Sequence, residues 1–154
     1  MKMHVLFAIK RAALVRLTLH TDYALRVLIH LAARPGQLCS IGEIARAYGI
    51  SRNHLMKVVN SLAHEGYLAT TRGRGGGIRL ARPPEEINVG AVVRHTEESL
   101  DLADCGSCFI APACGLTGVL RDALSAFLTV LDGKTLADIT ARRSEIAALL
   151  NAAG

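Results

Sequence analysis

A run of glycine and arginine constrains this chain more than any other feature. Arg72-Gly73-Arg74-Gly75-Gly76-Gly77 lies between two short segments, Tyr67–Thr71 and Ile78–Leu80. Strand, glycine-rich loop, strand is the pattern of a β-hairpin. Three helical segments precede it. Thr21 is read as the cap of a first helix, with Ala24, Leu25, Leu28, Ile29, Leu31 and Ala32 inward and Arg34-Pro35-Gly36 as its stop. Ser40 and Glu43 form a capping-box pattern for Ile41–Tyr48, closed by Gly49. Ser51 caps a third helix with Leu55, Val58, Val59 and Leu62 inward, stopped by Gly66. Three helices and then a hairpin is the order of a winged helix-turn-helix. The predicted fold is mainly α with a small β-hairpin: a winged helix-turn-helix domain over 15–84, followed over 85–154 by a loop and a long dimerisation helix.

That second part begins with a helix capped by Asn88 and running to about Thr96. A long amphipathic helix over roughly Cys114–Leu131 carries Leu116, Leu120, Leu124, Phe127, Leu128 and Leu131 on one side, and Asp132-Gly133 closes it. Thr135 opens a short turn, and Arg142–Leu150 reads as a last helix. Met1–Leu14 is expected to be an extension outside the fold, with Val15 as the natural start. Its apolar stretch Val5–Ile9 is too short for an export signal, and Lys10 and Arg11 follow at once.

Charge separates the same two parts. Residues 1–84 carry 13 basic and 3 acidic side chains, and residues 85–154 carry 5 basic and 10 acidic ones. A balance of +10 beside one of −5 predicts that the first part meets a polyanion. At 51% hydrophobic and 20% charged residues the chain of 154 is too apolar for disorder. It has no apolar run of about 20 residues to cross a membrane. The expected location is cytoplasmic.

A recognition helix needs short polar and basic groups near its N-terminus, where base edges are reached. Ser51, Arg52, Asn53, His54 and Lys57 stand there. Arginine forks onto guanine and asparagine onto adenine, and Ser51 with the helix N-terminus suits a phosphate. Arg72, Arg74 and Arg79 flank a tip where Gly75 and Gly76 allow close approach to a groove. These are the candidate DNA-binding residues. A solvated polar helix and an ordinary hairpin are the alternative for each element taken alone.

Cys105, Cys108 and Cys114 place three thiols within ten residues, in a loop marked by Gly106, Ser107 and Pro112. Thiolates are the soft ligands that iron–sulfur clusters and zinc select. A fourth ligand has to come from elsewhere, and Asp22, His95, Asp104 and Cys39 are the candidates. Cys39, just before a helix, fits a buried small hydrophobe better. A zinc-stabilised adaptor and a Cys-x-x-Cys thiol redox protein stand as alternatives, although zinc knuckles pair with a second ligand pair and redox motifs sit in a βαβ context. No Ser–His–Asp set, phosphate-binding loop or paired catalytic carboxylate is present in the spacing, so an enzyme is not expected.

Several segments together resemble one family. Leu17-Thr18 with Thr21-Asp22-Tyr23-Ala24-Leu25-Arg26 resembles the opening of the iron–sulfur winged-helix regulators, the group containing NsrR, IscR and RirA. Ser51–Val59 looks like the recognition helix of the NsrR branch and Arg72–Leu80 like its wing. Ile110–Cys114 is similar to its cluster loop and Leu131–Asp138 to its closing segment, so the match covers about 15–140. The resemblance implies a homodimeric repressor on an inverted-repeat operator, sensing nitric oxide through an iron–sulfur cluster, 4Fe–4S or 2Fe–2S. It implies cluster ligation by Cys105, Cys108 and Cys114, with Asp22 from the partner subunit's first helix. The IscR branch has a histidine three residues after the last cysteine; Thr117 stands there. Iron or redox response is the alternative within the same family. The chain departs from its relatives in the two-residue gap between Cys105 and Cys108, which leaves those thiolates less freedom to reach separate irons.

Overall fold

The computed structural model describes residues 15–153. Met1–Leu14, including the expected extension, lie outside the described residues. Seven α-helices and one hairpin follow in order: α1 Leu19–Ala32, α2 Ile41–Tyr48, α3 Arg52–His64, β1 Leu68–Thr71, β2 Gly77–Leu80, α4 Val89–Thr96, α5 Leu116–Asp132, α6 Leu136–Ile139 and α7 Arg143–Ala153.

The first cap differs from expectation. The N-cap of α1 is Thr18, whose hydroxyl accepts from the Thr21 N–H, and Thr21 is buried inside the first turn. The reason is tertiary: Glu97, at the end of α4, accepts from both the Thr18 N–H (2.8 Å) and its hydroxyl (3.1 Å), which fixes the helix start there. Ser40, Ser51 and Asn88 cap α2, α3 and α4 as their spacing predicts. Only half of the Ser40–Glu43 box forms. The Glu43 N–H donates to Ser40 Oγ at 3.1 Å, while the Glu43 carboxylate turns inward to lie 3.9 Å from His30 Nε2. A complete capping box closes instead at Thr135 and Asp138 of α6.

Helix α1 is buried over more of its surface than one amphipathic stripe allows. Val27 and His30 are fully buried in addition to Ala24, Leu28, Leu31 and Ala32, because α1 packs against α3, β2, α4, α6 and α7. Leu55, Val58, Val59 and Leu62 of α3 complete the core, as their spacing predicts. Ile87, Val92 and Leu136 belong to the same apolar cluster, so residues on both sides of position 84 share one interior. Burial of each such side chain contributes about 1.5–3 kcal/mol.

Strands β1 and β2 pair antiparallel, Leu68 with Leu80 through Thr71 with Gly77. Cys39 adds a third edge. Its N–H donates to the Ile78 carbonyl at 3.0 Å, and the Ile78 N–H donates to the Cys39 carbonyl at 2.8 Å. The wing is thereby pinned to the turn that leads into α2. The C-terminal segment returns in the same way: the Val89 N–H donates to Lys134 O and the Leu136 N–H to Ile87 O.

The long helix α5 buries none of its residues fully. Leu120, Leu124, Leu128 and Leu131 are half-buried, while Leu116, Val119, Phe127 and Val130 are exposed. Its C-terminal end is clamped to α4, where Arg94 donates to both Asp132 carboxylate oxygens at 2.5 and 2.7 Å. Gly90 makes that approach possible, because a Cβ there would stand 2.0 Å from Asp132 Oδ1. Gly90→Ala is expected to lower stability by about 1–3 kcal/mol. Urea unfolding would read this directly, and unchanged stability would mean that Asp132 swings clear at no cost.

Candidate nucleic-acid interface and thiol loop

The apolar positions of α3 face the core, which turns Arg52, Asn53, Met56, Lys57 and Asn60 outward in one stripe. The 3.6-residue period dictates this: positions 52, 53, 56, 57 and 60 lie opposite 55, 58, 59 and 62. Arg52, Asn53 and Lys57 are exposed. Ser51 spends its hydroxyl on the His54 N–H, a 3.4 Å capping contact. His54 is half-buried, its ring edge-on to Tyr23 of α1 with centroids 4.8 Å apart. The histidine therefore helps seat the recognition helix on α1, a role that no local pattern signalled.

The wing carries Arg72, Arg74 and Arg79, all exposed. Among the described residues none of Arg52, Lys57, Arg72, Arg74 and Arg79 is ion-paired with a carboxylate. Five unpaired cationic heads on two neighbouring elements are what phosphate contacts require. The two tip glycines do different things. Gly75 is exposed with φ +75°, a backbone region open to glycine at no steric cost. Gly76 is half-buried, and a Cβ there would stand 2.2 Å from the Thr71 carbonyl. The tip is thus glycine-rich first because its own backbone leaves no room.

The thiol loop follows α4 in the chain and leads into α5. Cys105 and Cys114 are half-buried and Cys108 is exposed; all three are free thiols. Successive turns wind the loop: the Cys108 N–H donates to Cys105 O, Ala111 to Cys108 O and Cys114 to Ala111 O, at 3.1–3.3 Å. Asp104 braces it by accepting from the Ser107 hydroxyl (2.6 Å) and N–H (3.2 Å), and these bonds hold its carboxyl below the usual range. Phe109 stands 93% exposed at the crest. The three thiols are not gathered to the few ångströms that a single ion needs; among the described residues that spacing occurs only elsewhere.

The candidates for a fourth ligand are each engaged. Asp22 holds Arg26 in a two-point salt bridge, 2.8 and 3.0 Å, and stays partly exposed on the first turn of α1. Arg26 in turn lies over the Tyr48 ring of α2, 5.8 Å from its centroid. His95 Nδ1 meets the Tyr67 hydroxyl at 2.7 Å, at the base of the wing. Asp104 is committed to Ser107. Cys39 is 1% exposed in the core, as a small hydrophobe would be.

A profile of the Rrf2 family, described as iron-dependent transcriptional regulator, matches residues 17–142. The chain belongs to the Rrf2 family. It is 52% identical over 142 residues to the HTH-type transcriptional regulator NsrR of Bacillus subtilis, covering 88% of this chain and 97% of that one. NsrR of Bacillus licheniformis is 50% identical over 143 residues, 89% of this chain and all of that one. The solved structure of T. potens IscR superposes with a TM-score of 0.70 at 27% identity, over 86% of this chain and 90% of that one. CymR of B. subtilis superposes with a TM-score of 0.64 at 26% identity, over 84% and 98%. This Rrf2 protein is therefore an NsrR-like, DNA-binding transcriptional regulator and not an enzyme. No helix among its described residues is long and apolar enough to cross a membrane.

Gly76→Ala in this Rrf2 regulator is expected to cost about 1–3 kcal/mol, because backbone rather than a flexible side chain stands in the way. Arg74→Ala, at an exposed position, is expected to stay within about 0.5 kcal/mol of the parent. Thermal or urea unfolding of the two variants separates these effects; equal stability would contradict the packed tip.

Proposed function

We propose that this regulator is a homodimeric repressor that senses nitric oxide through an iron–sulfur cluster, 4Fe–4S or 2Fe–2S. Cys105, Cys108 and Cys114 would hold the cluster, with Asp22 of the partner subunit completing it. The observation that carries this reading is the loop over 105–114: three free thiols on a wound, accessible backbone, in an NsrR-like chain. The donor set fits in kind, since thiolates are the soft ligands that iron–sulfur clusters select. When bound, such a cluster supplies iron that a small diatomic ligand can attack.

The chain's own residues provide the coupling. Asp22 is a harder donor than thiolate and so the weaker partner for iron. It has an alternative partner in Arg26, and Arg26 touches Tyr48 of α2. A carboxylate that exchanges between two partners is one contact away from the helix-turn-helix. That is a two-state element which a ligand can bias. A bias of about 3 kcal/mol in the relative placement of the DNA-binding units changes affinity more than a hundredfold.

Dimerisation rests on α5. Its Leu116, Val119, Phe127 and Val130 are exposed large apolar side chains. A groove of about 660 Å³ runs beside it, lined by Val15, Leu17, Leu100, Leu102, Leu124 and Phe127 among others. Two-fold pairing of the helices gives two recognition helices and hence an inverted-repeat operator. The work of such a protein is on DNA in the cytoplasm. Within each half-site, Arg52 and Asn53 read bases, while Ser51, His54, Lys57, Arg72, Arg74, Gly75, Gly76 and Arg79 line the backbone contacts. The family description as iron-dependent favours a second reading, a response to iron supply through the same loop.

Anaerobic purification, an absorbance spectrum, and iron and sulfide assays before and after stoichiometric nitric oxide test the proposal. The expected result is a brown protein whose cluster bands are lost or reshaped, and no bands in Cys105→Ala, Cys108→Ala or Cys114→Ala. Bands retained in each variant would sink the ligand assignment, and indifference to nitric oxide would move the reading to iron or redox sensing. On DNA, Arg52→Ala is expected to relax base preference, and Arg74→Ala to weaken all sequences about equally with a smaller salt slope. A uniform loss in both would remove Arg52 from base readout.

A further inference from the structure

Neither the basic surface nor the thiol loop uses His30, Cys39 and Glu43, yet these three meet inside the fold. They come from α1, from the turn after it and from α2, and their ligand atoms all lie within 4.8 Å of one another. His30 is fully buried, Cys39 is 1% exposed, and Glu43 is half-buried at the mouth. A tetrahedral ion with metal–sulfur and metal–nitrogen bonds of about 2.3 and 2.0 Å holds those atoms about 3.5 Å apart. The widest pair has to close by at most about 1.3 Å, and His30 Nε2 already lies 3.9 Å from Glu43 Oε1.

The donors suit one class of ion. Burial, and after it the Arg34 charge, pushes the His30 pKa down to about 4, so its ring is neutral with a lone pair to give. Thiolate and imidazole with a single carboxylate select zinc-like first-row ions over calcium or magnesium, which take oxygen ligands. One thiolate and one carboxylate balance a divalent charge. A cationic head already lies against this cluster: Arg34 Nη1 is 2.6 Å from His30 Nε2, while its Nη2 donates to Asn151 Oδ1 of α7 at 2.8 Å. The second contact gives Arg34 a place to remain when the first is displaced.

We propose that His30, Cys39 and Glu43 bind one divalent transition-metal ion of the zinc class, with water in the fourth position, at a site separate from the Cys105–Cys114 loop. As the sulfur–metal bond forms, the Cys39 thiol proton passes to solvent and no electron is transferred. Arg34 leaves His30 with its charge intact. The bound ion ties α1 to α2. It also braces the wing, because the Cys39 backbone carries both bridge hydrogen bonds to Ile78.

Cobalt(II) is the probe, added to the full chain with Cys105, Cys108 and Cys114 all replaced by serine, so that the outcome does not depend on the cluster reading. One equivalent is expected to bind with a thiolate-to-cobalt charge-transfer band and tetrahedral visible bands, and zinc is expected to bleach them. Cys39→Ala in that background loses the charge-transfer band. Glu43→Gln keeps the band but weakens binding at least about tenfold. Arg34→Ala removes the competing guanidinium and tightens binding severalfold. No uptake of cobalt, a charge-transfer band that survives in Cys39→Ala, or equal affinity in Glu43→Gln would each overturn the proposal. Glu43 and Arg34 are only half-buried, so those two variants, with folding checked by circular dichroism, decide the matter even if Cys39→Ala does not fold.

Discussion

Burial of α1 is the contact on which the rest of the molecule depends. Ala24, Val27, Leu28 and His30 are fully inaccessible, and helices from both ends of the chain pack on them. Helix α3 can present a polar stripe outward only because its apolar stripe has this surface to lie on. The wing keeps its place because β2 also touches α1 and because Ile78 is bridged to Cys39. Loss of a large side chain from this contact would cost a few kcal/mol, a sizeable part of the stability of a domain this size.

The same helix carries charge and polar chemistry on its remaining surface. Asp22 and Arg26 lie at its first turns, with Arg26 over Tyr48 of α2. Thr18 is held by Glu97 at the end of α4, the helix that leads into the thiol loop. The helix that leads into the loop and the helix-turn-helix are therefore both joined to α1 by direct contacts. At the other end of α1, His30 and Arg34 reach α2 and α7. Both ends connect buried packing to polar groups on neighbouring helices.

Much of this was legible in the residues. Ser40, Ser51 and Asn88 announced three helix starts, because a short side-chain oxygen before an apolar-periodic run satisfies a backbone N–H locally. The hairpin was legible because Gly75 needs a positive φ and Gly76 has no room for a Cβ. The thiol loop was visible as spacing alone. The start of α1 was not, since Thr18 outcompetes Thr21 through a hydrogen bond to a residue 79 positions away. Nor was the packing of His54 on Tyr23, which depends on how α3 sits against α1. The inward turn of the Glu43 side chain escaped the capping-box pattern for the same reason.

The residue pattern by itself determined the winged helix-turn-helix order, the basic first part, the outward face of α3 and the three-thiol loop. Each rests on local periodicity, capping or composition, which act over a few residues. Only the tertiary structure decided that Cys39 bridges to the wing, that His30, Cys39 and Glu43 converge, and that α5 half-buries one row of leucines while Leu116, Val119, Phe127 and Val130 stay exposed. Those facts depend on where whole helices come to rest. That placement is a sum of many weak contacts between residues distant in the chain, and no short stretch of sequence carries it.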